Sequence, residues 1–215
     1  MKTLDAFLSR LLPLVPSCTD PLARQALLDA AIEFCEESHV LQVTSDPQAV
    51  TAGVNTYDLD LPSEEDAVCV LKAWYGTTLL SPAPRVHVNS ILAYTGSAGG
   101  VDQPMGPPKW YYEIAPGTIC IYPAPDQSAE LMFSARVATK PKRTATQLND
   151  MLFDNYIDAI IAGAQARIVA IPGQFFTANP AKAEQAFRIG ISRAKGISIR
   201  GQVQASLSVS PRPFA

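Results

Sequence analysis

The chain has 215 residues, of which 47% are hydrophobic and 17% charged, and its formal net charge is −3. That size and apolar fraction suffice to bury a core and exclude an intrinsically disordered chain, while the low charge content suits a protein whose surface is partly covered by partners. No run approaches the ~18 apolar residues of a membrane helix, and Arg10 interrupts the only apolar stretch near Met1, so neither a membrane span nor an export signal is expected.

The charge is unevenly spread. Residues 1–66 hold twelve acids against three bases (Lys2, Arg10, Arg24), whereas residues 182–215 hold six bases against Glu184 alone. The basic set is Lys182, Arg188, Arg193, Lys195, Arg200 and Arg212. Ends of opposite sign can pair within one chain or between neighbours, and the sequence does not choose between these.

The first predicted helix covers about Leu4 to Leu12, with Leu4, Phe7, Leu8 and Leu11 on one face, and Pro13 and Pro16 force a connector after it. Asp20 and Pro21 then mark a second start, as N-cap and first helical residue. Leu27, Ala30, Ala31 and Phe34 repeat at helical spacing, and Asp29, Glu33, Glu36 and Glu37 share the opposite face. An acidic stripe of this kind is either a solvated surface or a face for a basic partner, since like charges at that spacing repel slightly.

From about residue 40 the pattern changes to short β segments. Thr56–Leu61 alternates and stops at Pro62; Val68–Tyr75, Gly76 and Thr77–Leu80 read as a hairpin; Trp110–Ile114, Thr118–Tyr122 and Glu130–Ala138 complete a set of about six strands. Pro116-Gly117 is a turn signal between two of them. Residues 82–108 are poor in regular signals, with glycine-rich Gly96–Gly100 and a short helical piece near Ile91–Tyr94. A loop of that length is often functional or ordered by a partner.

Helices return at Asn149, where Phe153, Ile157, Ile160, Ile161, Ala164 and Ile168 form an apolar stripe that Pro172-Gly173 stops. Asn179-Pro180 repeats the cap-plus-proline start. Phe187, Ile191 and Ala194 line the last helix, which is expected to end near Gly196 with Arg193 and Lys195 in its final turn. Ile197–Arg200 alternates as a short strand would, and a polar tail runs to Phe214 and Ala215.

The resulting expectation is an α+β fold. Helices at 1–45 and 148–196 form a bundle, 46–147 is an inserted antiparallel sheet or sandwich, and 197–215 is an extended tail.

No catalytic constellation emerges. His39 and His87 lack metal-ligand spacing to any Cys or His, no cofactor motif is present, and Cys18, Cys35, Cys69 and Cys120 are scattered as small buried hydrophobes would be. Asp58 and Asp60 imitate a carboxylate pair but fall where a strand places solvent-side acids. Trp74, Trp110, Tyr111 and Tyr112 could stack on a sugar or ligand, although sheet core is the commoner use. An acidic chain without a basic-aromatic stripe gives little support to nucleic-acid readout.

Several segments taken in order resemble the head-to-tail adaptor (connector) proteins of tailed bacteriophages. They are Leu12–Pro16, the helix following Pro21, Val54–Pro62, Ile121–Pro125, Gly163-Ala164 with Ile168 and Val169, and Asn179-Pro180-Ala181. The similarity spans about residues 10 to 196. It implies a non-enzymatic ring, usually of twelve copies, seated under the portal protein in the virion neck after assembly in the host cytoplasm. Such a ring extends the channel through which genomic DNA passes without sequence-specific contact, and offers a platform to a downstream tail or nozzle protein. In the family, carboxyl-terminal tails often enter the portal's clip region, and residues 197–215 are the matching segment here. On this reading Arg188, Arg193, Lys195, Arg200, Arg212 and Phe214 are candidates for the portal or neighbour interface, and Asp29, Glu33, Glu36 and Glu37 form an acidic face. The competing reading is a carbohydrate- or ligand-binding β module built on the four aromatics.

Overall fold

A computed structural model describes residues 1–83, 104–171 and 179–203, and the chain divides into two compact units. Met1–Val40 with Arg143–Ala215 forms one, and Leu41–Lys142 the other. The class is α+β, with helices in the first unit and the large sheets in the second.

In the helical unit, α1 (Leu4–Leu11) buries Leu4, Phe7, Leu8 and Leu11, and a 3-10 turn at Leu12–Leu14 accommodates Pro13. Helix α2 (Asp20–Ser38) is capped by Thr19, so Asp20 is its first residue, not its cap. There its charge faces the free N–H groups of the first turn. His39 closes α2 in the left-handed region, at φ 50°, with its N–H on the carbonyl of Cys35. Asn149 caps α3 (Asp150–Val169) by accepting from the Met151 N–H at 3.1 Å. Asn179 does the same for α4 (Pro180–Val203), accepting from Ala181 at 3.0 Å.

Aromatic contacts tie these helices together. Phe7 meets Phe153 edge-on, with centroids 5.1 Å apart, and Phe34 packs on Tyr156 at 5.2 Å and Phe187 at 6.3 Å. Each fully buried phenylalanine contributes ~2–3 kcal/mol through lost water contact. Two short strands, β1 (Lys2–Thr3) and β11 (Gln147–Leu148), pair antiparallel within this unit.

The last helix departs from expectation. It does not stop near Gly196, and Ile197–Arg200 is helical, not a strand. Ser198 continues the buried row of Phe187, Ile191 and Ala194, and its hydroxyl donates to the His39 carbonyl at 2.8 Å. Packing of that row overrides both the glycine penalty and the local alternation.

The second unit holds two main sheets. One runs β2 (Gln42–Thr44), β10 (Ala129–Pro141), β5 (Glu65–Tyr75) and β6 (Thr78–Leu79), with β3 (Gln48–Val50) also on β10. The other runs β4 (Thr56–Asp58), β9 (Thr118–Tyr122), β8 (Trp110–Ala115) and β7 (Ser81–Pro82). Among the described residues all strand pairs are antiparallel except β7 with β8. Gly117, at φ 84°, turns β8 into β9 in a conformation that glycine adopts without penalty. Phe133, Ala135 and Val137 alternate inward along β10 and meet Tyr57, Tyr111, Ile119 and Ile121 in one core.

The register of β5 against β10 jumps between Lys72 and Val70, leaving Leu71 as an extra residue. Strand β8 secures this bulge from the other sheet. The Tyr111 hydroxyl donates to the Leu71 carbonyl at 3.3 Å, and the Val70 N–H donates to Glu113 Oε2 at 3.2 Å. The proposed helical piece at Ile91–Tyr94 and the Gly96–Gly100 stretch lie outside the described residues.

Candidate functional site

Within the helical unit, much of the charge separated along the sequence meets across helices. Arg188 of α4 reaches the acidic side of α2, placing Nη1 2.6 Å from Glu37 Oε1 and Nη2 2.9 Å from Glu33 Oε1. Its Nε also holds Glu184 Oε1 at 2.8 Å, one turn back on α4. Hydrogen bonding to Glu37, then to Glu184, pushes the guanidinium further above its ordinary range.

The network extends to residues that charge counting at the two ends passes over. Arg167 of α3 pairs with the second Glu33 oxygen and donates to the Gly163 carbonyl at 2.8 Å. Arg143 pairs with Asp29 at 3.3 Å. The Arg167 and Arg188 guanidiniums also lie over the Phe187 ring, 5.2 Å and 5.9 Å from its centroid. So Asp29, Glu33 and Glu37 are engaged by arginines of their own chain. Glu36 shares the groove that Asp29, Glu33, Arg143 and Arg167 line.

Arg193, Lys195 and Arg200 are different: all three are exposed, and among the described residues none has an ion partner. Arg193 and Arg200 border a shallow groove with Ser192, Gly196 and Ile197. Ile189 and Ile197 on the same side of α4 are 44% and 57% exposed, a poor arrangement for a lone helix in water. Arg212 and Phe214 lie outside the described residues.

A second exposed ridge runs along α3, where Asp150, Asp154 and Asp158 recur at i, i+4 and i+8. The Met1 amino group holds Asp150 at 2.8 Å, but Asp154 and Asp158 have no ion partner among the described residues. Their i, i+4, i+8 spacing, on the exposed flank beside the apolar stripe of Ile157, Ile160, Ile161, Ala164 and Ile168, is the signal by which they can be found in the sequence.

The aromatics of the competing reading are not gathered on one face. Trp110, Tyr111 and Tyr112 are consecutive in β8, so Tyr111 faces the core while its two neighbours face away. Trp110 stacks on Tyr122 with centroids 6.0 Å apart. Asp58 accepts from the Thr118 hydroxyl at 2.8 Å on the adjacent strand, as an ordinary solvent-side acid does. Among the described residues no cluster of His, Cys, Asp and Glu could hold a metal ion, and no helix is long and apolar enough to cross a membrane.

A family model described as SU10 adaptor protein matches residues 2–212. No curated protein matches the sequence.

Proposed function

The chain belongs to the SU10 adaptor protein family, and from that premise we propose that it is the head-to-tail adaptor of a tailed bacteriophage. In this reading copies of the chain form a ring under the portal protein in the virion neck. The ring lengthens the channel for the genome and presents a platform to the next tail component. Its role is structural, and it carries out no reaction.

The observation that carries the reading is the extent of the family match, from residue 2 to residue 212, across both compact units. The surface of α4 supports it. Arg193 and Arg200, without an ion partner among the described residues, share one side of a long helix with two exposed isoleucines, as a protein interface requires and an isolated monomer does not. Lys195 is exposed on the Arg188 side of the same helix. A ring closed by rotation needs two different surfaces per subunit, and cationic α4 with acidic α3 provides a pair of opposite sign. Arg193, Lys195 and Arg200 are therefore assigned to the neighbour or portal contact. Arg188 has its strongest bonds inside its own chain, so its contribution is to hold α4 against α2.

Electron microscopy of purified portal mixed with the protein tests this. An additional annular layer on one end of the portal is expected. Portal particles unchanged at saturating protein would contradict it.

A further inference from the structure

Of the glycines within helices α3 and α4, Gly163 and Gly190 are accounted for by packing inside the chain itself. A Cβ on Gly163 would stand 2.6 Å from the Phe187 ring, and one on Gly190 would collide with Ala159. Both permit close contact between α3 and α4. Gly196 is the exception, because a Cβ there would meet nothing within 4 Å.

A glycine inside a helix costs about 1 kcal/mol relative to alanine. At Gly196 no contact among the described residues repays that. Gly196 instead forms the floor of the groove edged by Arg193, Ile197 and Arg200. A missing side chain at the centre of an exposed face lets a second helix come close, and the flanking arginines favour one that is acidic.

We propose that this groove receives helix α3 of a neighbouring copy of the same chain, with Arg193 and Arg200 facing that copy's Asp154 and Asp158. This rests on the ring reading above and specifies its contact. Charge complementarity identifies the occupant. Asp154 and Asp158 are exposed and unpaired among the described residues, and they lie one turn apart on an otherwise regular helix. Half-buried Met151 and Ala162 fall on the same side and supply apolar surface for Ile189 and Ile197.

The rise of an α-helix puts Arg193 and Arg200 about 10 Å apart and the two aspartates about 6 Å apart. A helix running along this face over Gly196 therefore fits both acids between the two arginines. The two faces belong to different helices of each copy, so the contact is head-to-tail and propagates around a ring instead of ending at a dimer.

A charge-swap experiment on the full chain, counting copies bound per portal by native mass, decides the matter. R193E/R200E and D154K/D158K should each lose at least tenfold in ring occupancy at low salt while retaining wild-type circular dichroism. The quadruple variant, with both faces reversed, should recover it. Gly196→Leu should also lose occupancy without losing stability, since its side chain enters open space in the monomer. Full rings from both double variants, or losses that the quadruple variant fails to rescue, would overturn the contact and leave the ring reading intact. Failure of the unmodified chain to bind the portal would overturn both.

Discussion

Gly163 lies directly beneath the ring of Phe187: a Cβ at that position would be 2.6 Å from Phe187 Cδ2, well inside van der Waals contact. Phe187 is fully buried, and Phe34 packs on it. The two helices approach at the distance that only hydrogen at this position allows.

Gly163→Ala is therefore expected to lower stability by about 1–3 kcal/mol, the range for forcing an extra methyl into a packed core. Gly196→Ala should instead raise stability by about 0.5–1 kcal/mol, because the added methyl meets nothing and helix propensity improves. Chemical denaturation of the two variants gives the comparison, and equal losses would show that Gly196 is packed.

Arg188→Met keeps an apolar side chain but removes three ion pairs, to Glu33, Glu37 and Glu184, and the guanidinium over the Phe187 ring. These groups are partly exposed and screened, so the loss should be about 1 kcal/mol, at the upper end for surface pairs. It should shrink as salt is raised toward 1 M. A salt-independent loss would mean that the guanidinium's contact with the Phe187 ring, not its ion pairing, is what Arg188 provides.

In the β unit, Glu113→Ala removes the acceptor for the Val70 N–H beside the Leu71 bulge, and a loss of about 1–3 kcal/mol is expected. Glu113→Gln keeps an acceptor and should lose less. Hydrogen exchange at Val70 provides the local readout, with faster exchange in the alanine variant than in the glutamine one.

Burial pushes the thiols of Cys69 and Cys120 up, with Glu113 adding to the effect at Cys69. A raised thiol leaves less thiolate at neutral pH, and the thiolate is the reactive form. Maleimide should label both slowly at pH 7 in the folded protein and rapidly after denaturation. Fast native labelling at either position would contradict the packing described.

The sequence was most legible where strong local signals agreed with packing. Asn149, Asn179 and Pro180 mark helix starts that the structure retains, and Thr118–Tyr122 forms the strand its composition suggests. The short strands at Gln42–Thr44 and Gln48–Val50 were not legible, because two or three residues carry no periodicity and these pair with distant β10. Ile197–Arg200 misled for the opposite reason: its alternation is local, whereas the buried row ending at Ser198 is set by contact with His39. In the candidate site, the charges themselves were readable but their pairing was not. Arg188 and Glu37 are 151 residues apart in sequence, and only the packing of α4 on α2 brings them together.

The central claim is that this chain assembles as a ring on a portal. Native mass measurement of the purified protein, alone and with the portal of its own phage, tests it most directly. The account predicts a fixed whole-number complement of chains per portal, matching a closed ring and weakening with salt. A protein that remains monomeric and leaves the portal's mass unchanged would contradict it.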